Sequence, residues 1–180
     1  YAVARKGSAV ELVTLVGADL PDRIVIDEMT TISSAYAMAR VLQAGQIPYR
    51  PLLPAKVAVG MAHNLVSPQP GLPSEVIKAS PNADETNAWR LLATLSNILA
   101  PCVRGGEDAC RQLFKLTASP DGGKPKTTFQ AALAIARHPT ANLKPLFKLG
   151  QFMPVYAPSL VDGRQGPDAP NEAMRLDAFT

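Results

Sequence analysis

A chain of 180 residues is long enough for one ordinary hydrophobic core, or for a core plus a fragment of a neighbouring domain. With 47% hydrophobic and 18% charged residues it is too apolar for a disordered tail, and no window approaches the run of about 20 apolar residues that a membrane-spanning helix needs. The 18 basic and 15 acidic side chains leave a net charge of +3; the basic residues are scattered instead of lying on one aromatic-laced stripe, which argues against a nucleic-acid binder.

The first elements read as strands. Tyr1-Ala-Val-Ala-Arg-Lys-Gly begins as a strand already under way, without a basic segment leading into an apolar one, so the chain is expected to be a processed protein or, better, a portion of a longer one. Residues 10–16 are β-branched and half alternating, and Gly17 ends them; Ile24-Val25-Ile26 forms a second short run. Segments this short need partners, from a helical body or from chain upstream.

From Thr31 the period changes to that of a helix, with Ile32, Ala35, Tyr36, Ala39 and Leu42 on its inner face and Gly45 as its stop. The junction before it carries an acidic pair, Asp27 and Glu28, and a hydroxyl cluster, Thr30, Thr31, Ser33 and Ser34. A catalytic reading needs a nucleophile touching a base, and no histidine or lysine stands beside these hydroxyls to activate them. Adjacent carboxylates on an extended segment also point to opposite faces. The structural reading is preferred: Thr30 or Thr31 caps the first turn, and Asp27 and Glu28 place negative charge at the positive end of the helix dipole.

A second helix is expected over residues 55–66, with Val57, Met61, Ala62 and Leu65 inward, Gly60 allowing a close approach, and a proline-rich loop over residues 68–73. His63, near that helix end, reads as a surface or capping residue. The clearest helix covers residues 86–99. Trp89, Leu92, Leu95 or Ser96, and Leu99 form one stripe, widened by Leu91 and Ile98; Asp84 and Glu85 charge its start and Pro101 ends it. Residues 109–116 make a short helix, and Pro120-Asp-Gly-Gly a turn. Thr127 or Thr128 then caps a helix with Phe129, Ala132, Leu133 and Ala136 facing in, and Pro139 stops it. Residues 142–149 supply a last short helix anchored by Leu143, Leu146 and Phe147.

Beyond Gly150 the apolar run is broken by prolines and reads as an extended strap, followed by a polar loop at 162–170 and a helical turn or edge strand at 171–176. Phe152, Met153, Tyr156 and Phe179 are its candidate contact surface. The whole is expected to be mainly α, a compact bundle of about five to six short helices with a few short N-terminal strands and the proline-rich strap.

Cys102 and Cys110 lie eight apart across a Gly105-Gly106 turn. Metal ligands would be spaced more closely, with a second pair nearby, and His63 and His138 are remote in sequence. Two reduced core thiols are one reading. A disulfide stapling an inter-helix loop, which requires an oxidising compartment, is the one that spacing and loop chemistry favour.

Tyr1-Ala-Val-Ala-Arg-Lys-Gly, Ile26-Asp-Glu-Met-Thr-Thr-Ile-Ser-Ser-Ala-Tyr-Ala-Met-Ala, Asn64-Leu-Val, Asn97-Ile-Leu-Ala-Pro-Cys102 with Cys110, and Thr128-Phe-Gln-Ala-Ala-Leu-Ala-Ile-Ala-Arg-His-Pro139 together resemble a helical domain of large secreted or cell-surface bacterial proteins. That domain commonly follows a carboxypeptidase-regulatory or immunoglobulin-like β-sandwich and often precedes an NHL-type β-propeller. The family's usual Asn-Glu is Asp27-Glu28 here, and the tryptophan usual after Pro-Asp in its tail is replaced by Ala169. The resemblance implies export, the disulfide and a place beside other domains, and it transfers no catalytic residue. The residue pattern divides the chain into strands at 1–26, a helical domain at 27–150 and the strap at 151–180, and the resemblance makes the strands the end of or an edge to an upstream sandwich.

With no nucleophile and base in contact, no metal cluster and no phosphate-binding glycine loop in the pattern, the expected function is a non-catalytic exported structural or interaction module, periplasmic or at the cell surface. Its partners would be proteins or neighbouring domains of the same chain, with no nucleic acid, membrane span or cofactor called for. The alternative is a hydrolase or carbohydrate-binding domain using Asp27, Glu28, Thr30 and Thr31.

Overall fold

The computed structural model describes residues 1–39, 41–42, 52–83, 86–119 and 122–160. Gly45, Asp84, Glu85, the first half of the 120–123 turn, the segments at 162–170 and 171–176, and Phe179 therefore lie outside the described residues. Within them the protein is mainly helical: a hairpin of β1 (Ala2–Lys6) and β2 (Val10–Thr14), helices α1 (Glu28–Met38) and α2 (Leu52–Leu65), a minimal hairpin of β3 (Val66–Ser67) and β4 (Leu72–Pro73), then α3 (Glu75–Lys78), α4 (Ala88–Gly105), α5 (Glu107–Leu116), α6 (Thr128–Arg137) and α7 (Leu143–Phe152). The chain from 153 to 160 is an extended strap.

Helix α1 is the axis of the fold, packed against α2, α4, α6 and β2. It does not begin at Thr31 with one apolar face, as the period predicts; it begins at Glu28, and every residue from Glu28 to Ala35 is buried. Small hydroxyl residues make this possible, because each fills little volume and can return its hydrogen-bonding groups to nearby backbone. Its own Ile32 and, around it, Leu92, Leu95, Ile98, Leu99 and Leu113 are fully enclosed, each leucine or isoleucine worth about 1.5–3 kcal/mol in surface removed from water.

Helix α4 runs through Pro101 to Gly105. The expectation that proline would end it fails because a proline costs a helix about 3 kcal/mol, while leucines on the turns before it and Cys102 after it are buried in the common core. Continuing the helix carries Cys102 and Arg104 into place. Helix α7 crosses α4 at Gly150, where an added Cβ would lie 3.1 Å from Ile98 Cγ1.

Four further expectations are corrected. Ile24 to Ile26 form no strand; Val25 N–H instead bonds the Pro68 carbonyl at 2.8 Å, docking the segment on the β3–β4 turn. In that turn Gly71 has φ +67°, and any Cβ there would collide with Val25, so the predicted proline-rich loop is a tight turn that only glycine completes. On α2 the inward residues are Ala58, Ala62 and Leu65, while Val57 and Met61 are exposed and Gly60 faces open space. Alanines at the contact let α2 approach α1 closely, which the larger neighbours on the apolar helix disguise. On α6, Ala131, Ala132, Leu133 and Ile135 are buried, and Phe129 and Ala136 only partly so. Thr127 is its N-cap, accepting Gln130 N–H at 3.2 Å.

The β1–β2 hairpin shares this core through Val10, and Leu15, the residue after β2, joins it.

Candidate functional site

At the junction, Asp27 is the N-cap of α1. Its Oδ1 accepts the Thr30 N–H at 2.8 Å, and Thr30 Oγ1 accepts the Asp27 N–H at 2.9 Å, a reciprocal capping box with threonine in the place usually held by glutamate. The cap is thus the aspartate, and the threonines answer it. Burial holds the Asp27 carboxyl above its ordinary range; the Thr30 backbone N–H opposes this, and the neighbouring charge of Glu28 adds to it.

Thr31 Oγ1 donates to the Asp27 carbonyl at 2.6 Å and accepts the Val13 N–H at 3.0 Å. One turn on, Ser34 Oγ accepts the Leu15 N–H at 3.0 Å, and Ser33 Oγ donates to the Thr30 carbonyl at 3.0 Å. From α6, Thr128 Oγ1 accepts the Glu11 N–H at 2.9 Å and donates to the Glu11 carbonyl at 2.6 Å. Alternate backbone groups of β2 are therefore satisfied by helix hydroxyls where a third strand would otherwise stand.

Glu28 is 2% exposed. Its Oε1 takes the Arg104 Nε–H at 3.2 Å from the last turn of α4, and its Oε2 takes the Tyr156 hydroxyl at 2.7 Å from the strap. Burial, then the bond to Glu28 and the charges of Asp27 and Glu28, raise the Tyr156 phenol far above its ordinary value, so it stays a neutral donor. The carboxylate in turn raises the Arg104 guanidinium.

The strap is held by α4 as well. Asn97 Oδ1 accepts the N–H of Val155 at 2.7 Å and of Tyr156 at 2.8 Å, and Nδ2 donates to the Tyr156 carbonyl at 2.9 Å. Thr94 Oγ1 accepts the Leu160 N–H at 2.9 Å. Asn97, Thr94 and Arg104 carry this arrangement; sequence reasoning named Asn97 only within a motif of the resemblance and did not single out the other two. The available signal was a pair of polar residues three apart within a leucine-rich helix, which puts them on one face.

Tyr156, expected on a contact surface, is half-buried with its hydroxyl turned inward, because the strap finds its partners within the domain. Met153 is half-buried and Phe152, the last residue of α7, is 75% exposed. Cys102 and Cys110 form a disulfide joining the end of α4 to α5. His63 Nε2 lies 3.0 Å from the carbonyl of Leu15, the residue whose N–H Ser34 accepts, so its ring is engaged with backbone instead of standing free at the surface.

Among the described residues no group of three or more His, Cys, Asp or Glu is placed to hold a metal, and no helix is long and apolar enough to cross a membrane. A groove of about 450 Å³ opens between the β1–β2 turn and the disulfide corner, lined by Lys6, Val10, Val103, Arg111 and Phe114 among others, and it does not include the junction. What the junction does chemically is to close backbone valences and pair one buried carboxylate with a cation and a phenol. No protein family, curated protein or solved structure matches the chain.

Proposed function

We propose that this chain is a non-catalytic, exported structural or interaction module, a subunit or accessory domain of a cell-surface or periplasmic assembly, with proteins or neighbouring domains of the same chain as its partners. The observation that carries this reading is the full commitment of the junction. Thr30, Thr31, Ser33 and Ser34 each bond backbone, and both Glu28 oxygens are taken by Arg104 and Tyr156. A nucleophile needs a free lone pair beside a base, and a general acid or base needs reach to a substrate; here every such group already serves the fold.

The Cys102–Cys110 disulfide supports an oxidising compartment, and the resemblance to secreted bacterial helical domains points the same way. The test is to fractionate the native source, locate the chain, and assay the oxidation state of the two cysteines while identifying what co-purifies. Recovery outside the cytosol, oxidised and bound to protein, supports the reading. A cytosolic chain with two free thiols overturns export. A hydrolytic or sugar-binding activity that Glu28→Gln abolishes at unchanged stability overturns the non-catalytic assignment.

A further inference from the structure

Strand β2 has two unlike sides. Toward the helices, Glu11, Val13 and Leu15 give their backbone N–H groups to Thr128, Thr31 and Ser34. Toward β1 it pairs in the register Ala2↔Thr14, Ala4↔Leu12, Lys6↔Val10. Backbone direction alternates along a strand, so the outward turn of residues 11 and 13 places the hairpin's own bonds at 10, 12 and 14 and directs the N–H and C=O groups of Val3 and Arg5 away from β2. Among the described residues, none forms a backbone bond with Val3 or Arg5 on that side.

An open edge of this kind is commonly blunted by proline, a bulge or a covering element. Strand β1 contains no proline, pairs through five consecutive positions without a bulge, and leaves Tyr1 and Val3 exposed at 67% and 37%. Among the described residues, one edge of the two-stranded sheet is closed by hydroxyls and no segment pairs with the other, although isolated two-stranded ribbons gain stability from added strands.

We propose that the free edge of β1 pairs with the same edge of a second copy of this chain, antiparallel, about a two-fold axis at Val3. The edge is self-complementary in that register. Val3 faces Val3 of the second copy, and Tyr1 faces Arg5 on either side of the axis, where an aromatic ring beside a guanidinium is favourable and like charges are kept apart. A parallel pairing would set Arg5 and Lys6 beside their own copies. Arg5 keeps its bond to Glu11 at 2.9 Å throughout. The interface goes beyond the interaction-module reading, because it names the partner and the strand.

Sedimentation of the full chain over a concentration series, with amide hydrogen exchange at each concentration, tests this. The expected result is a concentration-dependent dimer in which the Val3 and Arg5 amides gain protection while the Ala4 amide, already bonded to β2, does not change. Val3→Pro removes only the outward N–H, and Val3→Lys opposes two like charges at the axis; both are expected to abolish the dimer and leave the fold intact. A monomer at every concentration overturns the proposal without touching the non-catalytic reading, and so does a dimer that survives both substitutions.

Discussion

Tyr156 donates its hydroxyl to Glu28 at 2.7 Å across 128 positions of sequence, while Arg104 holds the other oxygen of the same carboxylate at 3.2 Å. The three residues tie the first turn of α1, the last turn of α4 and the strap to one point. A buried carboxylate is stable there only because both oxygens are occupied.

Glu28→Gln and Tyr156→Phe are each expected to cost about 1–3 kcal/mol. Because they share one bond, their double mutant should cost less than the sum by at least about 0.5 kcal/mol. Urea unfolding of the four proteins in the cycle measures this. Strict additivity would mean that the contact contributes nothing.

Asn97→Ala removes the partner of two strap N–H groups and one carbonyl. The expected loss is about 1–3 kcal/mol, with hydrogen exchange at Val155 and Tyr156 accelerated well beyond that of α4 itself. Unchanged protection at those two amides would show that the strap is held by other contacts.

Thr31→Val keeps the shape and strands the Val13 N–H, so a loss of about 1–3 kcal/mol is expected. Thr31→Ser restores the hydroxyl and should recover most of it. Equal melting temperatures for the valine and serine variants would refute the edge-closing role.

Asp27 provides a pH dependence with a definite sign. Its carboxyl is held above the ordinary 3.8 by burial, so the stability attached to its protonated form is fully present below that value and is lost as pH rises through the folded value. Asparagine caps a helix about as well as aspartate, so Asp27→Asn should lie within about 1 kcal/mol of the parent at neutral pH. The parent should then gain on the variant as pH falls from neutral toward 3.8. A parent that loses ground on acidification would contradict the burial argument.

Reducing the disulfide, or replacing both Cys102 and Cys110 by alanine, is expected to cost about 2–3 kcal/mol for so short a loop. Thermal melts with and without reductant measure it.

The helices were largely legible because leucine spacing on α4 and the small-residue pattern on α6 survive any packing partner. Where the reading failed, the cause was tertiary. Pro101 looks like a stop until both flanks of α4 are seen to be buried, and Val57 and Met61 look like a core face until α1 arrives on the side of Ala58 and Ala62. At the junction, the residue types pointed to capping, but which residue capped which required coordinates: Asp27 takes the role expected of a threonine.

Local chemistry, read from residue order, was enough to establish a mainly helical chain, a capped junction and a plausible sulfur link, since periodicity, turn residues and short separations act within a few positions. Only the folded arrangement could bring Thr31 to Val13, Asn97 to Val155, and Glu28 to both Arg104 and Tyr156. Those bonds join residues far apart in sequence, and a buried polar group carries no mark of its partner until packing removes the water that would otherwise serve it.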